Sequence, residues 1–104
     1  MKYTITYETE AEHALENIAF YYIEQVGLEI AKAIMDSIKE RIESLDTMPE
    51  RCQKSSFCQN VHKLVIQKPP YSVYYQILGQ EVIILEILHN KQDPKFLQSK
   101  YQNF

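Results

Sequence analysis

The sequence predicts an α+β domain of order β-α-α-β-β-β, a small, mainly antiparallel sheet with a helical hairpin packed on one face. Three observations carry that prediction. Lys2 to Tyr7 alternates with period two, the apolar residues between Ala11 and Leu45 recur at three-and-four spacing, and Tyr71 to Leu88 holds two apolar runs joined by Gly79-Gln80. The 104 residues form one domain, 1–104, large enough to bury its own core without disulfide or metal support.

The first strand sets Tyr3, Ile5 and Tyr7 against Thr4 and Thr6, all strand-favouring residues. Thr9 with Glu12 three residues on reads as a capping box. From there Ala11, Ala14, Leu15, Ile18, Ala19, Tyr22, Ile23 and Val26 mark one helical face. Gly27 stops this helix, because glycine tolerates the positive φ that helix ends require. A second helix follows at once, with Ile30, Ala31, Ile34, Ile38, Ile42 and Leu45 on its inner face and Met48-Pro49 beyond its end, so the two helices form an antiparallel hairpin.

Residues 50–60 show no periodicity and read as a loop. In the strand Val61 to Gln67, His62, Leu64 and Ile66 share one side and Val61, Lys63 and Val65 the other; Lys68-Pro69-Pro70 then forces a turn. In the next strand Tyr75 points with Val73 and Ile77 toward the core and Tyr74 the other way, both as packing residues. Gly79-Gln80 suits a two-residue type II′ turn. Val82 to Leu88 has Glu86 as its one charged member, which places that strand in the sheet interior. The tail from Lys95 to Phe104 is polar, with Phe96, Leu97, Tyr101 and Phe104 available to dock.

There is no run of 18 or more apolar residues and no export signal at the N-terminus, so a cytoplasmic protein without membrane contact is expected. Cys52 and Cys58 are separated by five residues, which is not a usual zinc spacing, and read as reduced thiols; neither metal nor cofactor is expected. The net charge of −3 hides an asymmetry. Residues 1–50 carry four bases against eleven acids, a balance of −7, and residues 51–104 carry seven against three, a balance of +4. An anionic partner should approach the C-terminal half.

Several short segments stand in a telling order: Glu10-Ala11-Glu12, Leu15-Glu16-Asn17-Ile18, Met48-Pro49, Val61-His62-Lys63-Leu64, Tyr71 to Ile77, Val82 to His89, and Asp93-Pro94. Together they resemble the ParE/RelE superfamily of toxins from bacterial type II toxin–antitoxin modules, closer to the ParE branch. The resemblance implies a protein neutralised by a cognate antitoxin whose disordered tail folds across sheet and helices. It further implies one of two modes of growth arrest: ParE-like inhibition of DNA gyrase, or RelE-like cleavage of mRNA on the ribosome.

RelE-like cleavage resembles acid–base chemistry helped by cations around a crowded phosphate. On that pattern Lys63 keeps one lysine, whereas a second falls at Val65 and two arginines fall at Ser72 and Gln92. Losing one preorganised donor typically costs ~10²-fold or more in rate. A net charge of −3 also suits an RNA-bound nuclease poorly. The expectation is therefore a non-enzymatic gyrase inhibitor that meets its target through His89, Asn90, Lys91, Gln92 and Asp93, a string similar to the tail of the ParE branch. Two alternatives stay open: an mRNA endonuclease using Lys63, His62, His89 and Lys91, and a decayed member that binds its antitoxin without toxicity.

Overall fold

In a computed structural model the described residues are 2–51 and 60–92, with the side chain of Arg51 outside that set. They form β1 (Thr4–Tyr7), α1 (Thr9–Val26), α2 (Leu28–Glu43), two short 3-10 turns (Ser44–Asp46 and Pro49–Arg51), β2 (His62–Ile66), β3 (Tyr71–Leu78) and β4 (Glu81–His89). The four strands make one mixed sheet in the order β1-β4-β3-β2, with β1 parallel to β4 and the other pairs antiparallel. As expected, the apolar last strand lies in the interior. The expected loop over 50–60 falls mostly outside the described residues, and so do Cys52, Cys58, Asp93 and the tail.

Both helices cover one face of the sheet. Ala11 and Ile18 of α1 and Ile38 and Ile42 of α2 pack with Leu64, Ile66, Val73, Tyr75, Val82, Ile84 and Ile87 in the main core. A second cluster on the outer face joins Val61, Tyr74, Leu85 and Leu88. Tyr74 and Tyr75 thus take opposite faces, both buried. Alternation alone cannot put both Ile84 and Ile87 in the main core, three positions apart. A bulge between Tyr74 and Tyr75 makes that possible: Tyr75 pairs with Ile84 and Tyr74 with Glu86, so Leu85 is the extra residue and the alternation of β4 restarts.

Two helix expectations need correction. Thr9 lies inside α1 and the cap residue is Glu8, with no side-chain cap bond, so the capping box does not form. Glu8 instead donates its N–H to the Ile84 carbonyl, and that tie between helix start and sheet fixes the boundary one residue early. Ile23, Val26 and Ile30 follow the inner-face spacing yet are exposed, Ile30 by 56%. They sit near the hairpin turn, together with the exposed Phe20 and Leu28.

The hairpin turn consists of Gly27 alone, at φ 90° and ψ 167°, where it ends α1 and begins α2. Its N–H reaches the Ile23 carbonyl and its carbonyl accepts from Ala31, so both helix ends are satisfied by one residue. Gly79 takes φ +61° and Gln80 does not take positive φ, the signature of a type II′ rather than a type I′ turn. Met48 also takes positive φ, at 53°, ahead of the buried Pro49 whose carbonyl accepts the Tyr75 hydroxyl. The Lys68–Pro69 bond in the β2–β3 turn is cis.

No atom lies within 4 Å of where a Cβ on Gly27 would be, so Gly27→Ala introduces no clash and its whole cost is backbone strain. We expect a loss of about 1–3 kcal/mol in denaturant unfolding. A neutral or stabilising result would show that the turn can be made with negative φ.

Candidate functional site

The register of β2, β3 and β4 decides which of the ionisable residues can meet. His62, Tyr75 and Ile84 share one row, and Ile66, Tyr71 and His89 another, both directed to the helix-covered face. Lys63, Tyr74 and Glu86 form a row on the outer face, and Val65, Ser72 and Leu88 form the next. Along the outer rows the Lys63 ammonium stands 5.9 Å from the Tyr74 ring centre, a cation–π contact. Burial raises the Tyr74 phenol above its ordinary pKa, since a phenolate there would lose its hydration.

The candidate nuclease set is therefore split. His62 stacks on Tyr75 at 5.3 Å, and His89 meets Tyr71 edge-on, also at 5.3 Å. Those tyrosines are four residues apart on β3, so the two histidines are separated by roughly 16 Å from strand rise and spacing. Lys63 lies on the opposite face from both.

Of the residues expected to bind a target, His89, Asn90, Lys91 and Gln92 form a rim at the end of β4, and Asp93 lies outside the described residues. Lys91 N–H donates to His89 Nδ1 at 3.1 Å, which leaves the ring proton on Nε2. Gln92 closes the turn twice, its side-chain oxygen accepting from His89 N–H at 2.9 Å and its own N–H reaching the His89 carbonyl at 2.9 Å. Lys91 and Gln92 are exposed, and His89 is half-buried over Tyr71.

The Asn90 side chain holds the rim in place. Its Nδ2 donates to the Ile66 carbonyl at 3.1 Å, its Oδ1 accepts from the Ser72 hydroxyl, and its N–H reaches the Pro70 carbonyl at 2.9 Å. One residue thus ties the end of β4 to β2, to β3 and to the turn between them. The Ser72 hydroxyl serves this latch. No spacing in the sequence signals the pair.

Behind the rim, Tyr71 bonds to Tyr22 of α1, which in turn meets Tyr21 edge-on at 5.1 Å. Burial first and the neighbouring Tyr22 second raise the Tyr71 phenol well above its ordinary value. At the other end of the helices, burial and then the Glu43 carboxylate push Tyr7 up to about 12, with its hydroxyl 3.4 Å from Glu43. No group of three or more His, Cys, Asp or Glu suited to a metal occurs among the described residues. No described helix is long and apolar enough to cross a membrane.

Comparison with known proteins matches a family model, the ParE toxin of the type II toxin–antitoxin system parDE, over residues 5–94. No curated protein matches. Among solved structures the chain resembles one described as the chromosomal ParDE toxin–antitoxin system from P. aeruginosa, at 22% identity and TM-score 0.77, covering 85% of this chain and 96% of that one. It also resembles a mutant of the E. coli toxin RelE in the free state, in which two arginines are replaced by alanine, at 13% identity and TM-score 0.66, covering all of both chains. A third similar structure is the intact E. coli RelBE toxin–antitoxin complex, at 13% identity and TM-score 0.51, covering 86% of this chain and 99% of that one.

Two outcomes follow from this geometry. Asn90→Ala leaves the Ile66 carbonyl and the Ser72 hydroxyl without their partners, and should cost about 1–3 kcal/mol in denaturant unfolding; Lys91→Ala, with no side-chain bond in the rim, serves as the neutral control. Tyr7, Tyr71 and Tyr74 all have folded pKa values above the unfolded value near 10. Their contribution to stability is complete below pH 10 and is lost as pH rises through about 12 and beyond. Alkaline unfolding followed by circular dichroism should coincide with late tyrosine ionisation in ultraviolet absorbance, whereas ionisation of all tyrosines near pH 10 with the fold intact would contradict this.

Proposed function

The chain belongs to the ParE toxin family of type II toxin–antitoxin systems, and we propose that it acts without cleaving anything, by binding DNA gyrase through the rim at the end of β4 until a cognate antitoxin neutralises it. The observation that carries this reading is the outer sheet face. Where a phosphate-cleaving relative needs converging cations, this face offers Lys63 with Val65 beside it and Ser72 committed to Asn90. Glu86, a buried acid, flanks Tyr74 on the other side. Among the described residues a developing negative charge there meets one cation, Lys63, with no second one converging on it.

The rim supports the binding half of the reading. The backbone from His89 to Gln92 and the His89 and Gln92 side chains are held by three short-range bonds before any partner arrives, so little loop entropy remains to be lost on docking. An antitoxin partner is in keeping with the toxin–antitoxin assemblies among the structural neighbours.

Purified protein is expected to inhibit supercoiling by gyrase. The double variant His89→Ala/Lys91→Ala should raise the inhibitory concentration at least about tenfold, and Lys91→Ala alone should raise it severalfold with thermal stability nearly unchanged. Growth arrest accompanied by intact supercoiling and by new 5′ ends on translated mRNA would refute the proposal in favour of the nuclease reading. Expression without either growth arrest or gyrase inhibition would favour the non-toxic one.

A further inference from the structure

Aromatic rings continue the rim at the end of β4 onto α1. His89 lies edge-on to Tyr71, with ring centres 5.3 Å apart at 79°. The Tyr71 hydroxyl is hydrogen-bonded to Tyr22, and Tyr22 in turn meets Tyr21 edge-on at 5.1 Å and 80°. This row of contacts starts at the half-buried His89, passes through the buried Tyr71 and returns to solvent at Tyr21, which is 55% exposed. Edge-to-face pairs favour one relative orientation, so Tyr21 presents a ring already held in place.

Tyr21 stands on a different side of α1 from the groove between the two helices. At 3.6 residues per turn it lies about 160° around the helix from both Ala19 and Ile23, which line that groove. Phe20, still more exposed, points away from the sheet, about 160° from the buried Ile18. What singles out Tyr21 is its continuity with the rim, not its apolar surface alone.

Charge across this surface is uneven. Lys91 is exposed in the rim, and Lys68 is exposed in the β2–β3 turn, two residues before Pro70, whose carbonyl accepts the Asn90 N–H at 2.9 Å. Residues 65–72 and 89–92 contain no acid, and neither lysine forms an ion pair with a described residue. On α1 the exposed Glu24 follows Tyr21 by about one turn toward Gly27. The positive side of the patch is therefore the rim and the negative side the hairpin turn. A prepositioned tyrosine supplies contact area at low conformational cost, and the cations beside it select the sign of whatever docks.

We propose that Tyr21 is a further contact residue for gyrase, and that the segment of the enzyme it meets lays an apolar side chain on the Tyr21 ring and turns carboxylates toward Lys91 and Lys68. The inference rests on the proposed gyrase reading and deepens it. The docking surface then spans two elements, the end of β4 and the last turns of α1, joined through Tyr71 and Tyr22. Glu24 confines the acidic part of the partner to the rim side of Tyr21 by like-charge repulsion.

Anisotropy of the labelled protein titrated with gyrase in the absence of DNA tests this, measured beside supercoiling inhibition. Tyr21→Ala should weaken binding at least about tenfold, and Tyr21→Phe, which keeps the ring, should stay within about twofold of the wild type. Lys68→Glu should weaken binding severalfold and flatten its salt dependence, while Glu24→Gln should tighten it. All four side chains are exposed, so circular dichroism and thermal melting should be unchanged. Undiminished binding of folded Tyr21→Ala, an equal loss in Phe20→Ala, tighter binding of Lys68→Glu, or binding that appears only when DNA is added would each overturn the inference. Full inhibition by Tyr21→Ala together with a loss in Lys91→Ala overturns this inference and leaves the rim reading standing, whereas a wild-type protein that neither binds nor inhibits gyrase overturns both.

Discussion

The sheet, the rim and the outer face all depend on how β4 is registered between its neighbours. It is the one strand that pairs on both sides with different polarity, parallel to β1 and antiparallel to β3, and it supplies Val82, Ile84 and Ile87 to the main core. The bulge opposite Tyr74 lets it bury apolar residues on both faces without leaving the ladder. The same offset carries Glu86 beside Tyr74 and brings Ser72 opposite Leu88, so that Asn90, two residues further on, reaches the Ser72 hydroxyl. Core packing, the acid on the outer face and the shape of the rim are consequences of one extra residue.

From this follows a division of labour between the surfaces. The helix-covered face sequesters the histidines against tyrosine rings, the outer face keeps one lysine and one buried acid among the described residues, and exposed polar groups gather at the end of β4. Such a distribution separates acids and bases that a nuclease must bring within hydrogen-bond reach of one phosphate. It leaves intact what adhesion needs, a rigid edge with exposed polar groups.

Much of the fold was legible in the sequence because its signals are local. The Gly79-Gln80 turn, the breaks at Gly27 and at Lys68-Pro69-Pro70, and the period change after Tyr7 each announce themselves within a few residues. What was not legible depends on contacts distant in sequence. Counting back from the turn pairs Tyr75 with Ile84 correctly, but continuing would set Tyr74 opposite Leu85, and nothing in Leu85-Glu86 reveals that the ladder skips there. The Thr9 cap failed for the same kind of reason, since the Ile84 carbonyl recruits Glu8. Ile23, Val26 and Ile30 obey the helical period but flank the Gly27 turn, where they stay exposed. At the rim, the string His89 to Gln92 was visible as a candidate, whereas the role of Asn90 as a latch required knowing that Ser72 and Ile66 end beside it.

The central claim is that the outer sheet face offers no cradle for a phosphate. Titrating the isotope-labelled protein with a short single-stranded RNA at low salt, and following backbone amide shifts, examines that face residue by residue. The account predicts no saturable perturbation centred on Lys63, Val65 and Ser72. A saturable response confined to those residues, weakening with salt as phosphate contacts do, would contradict it.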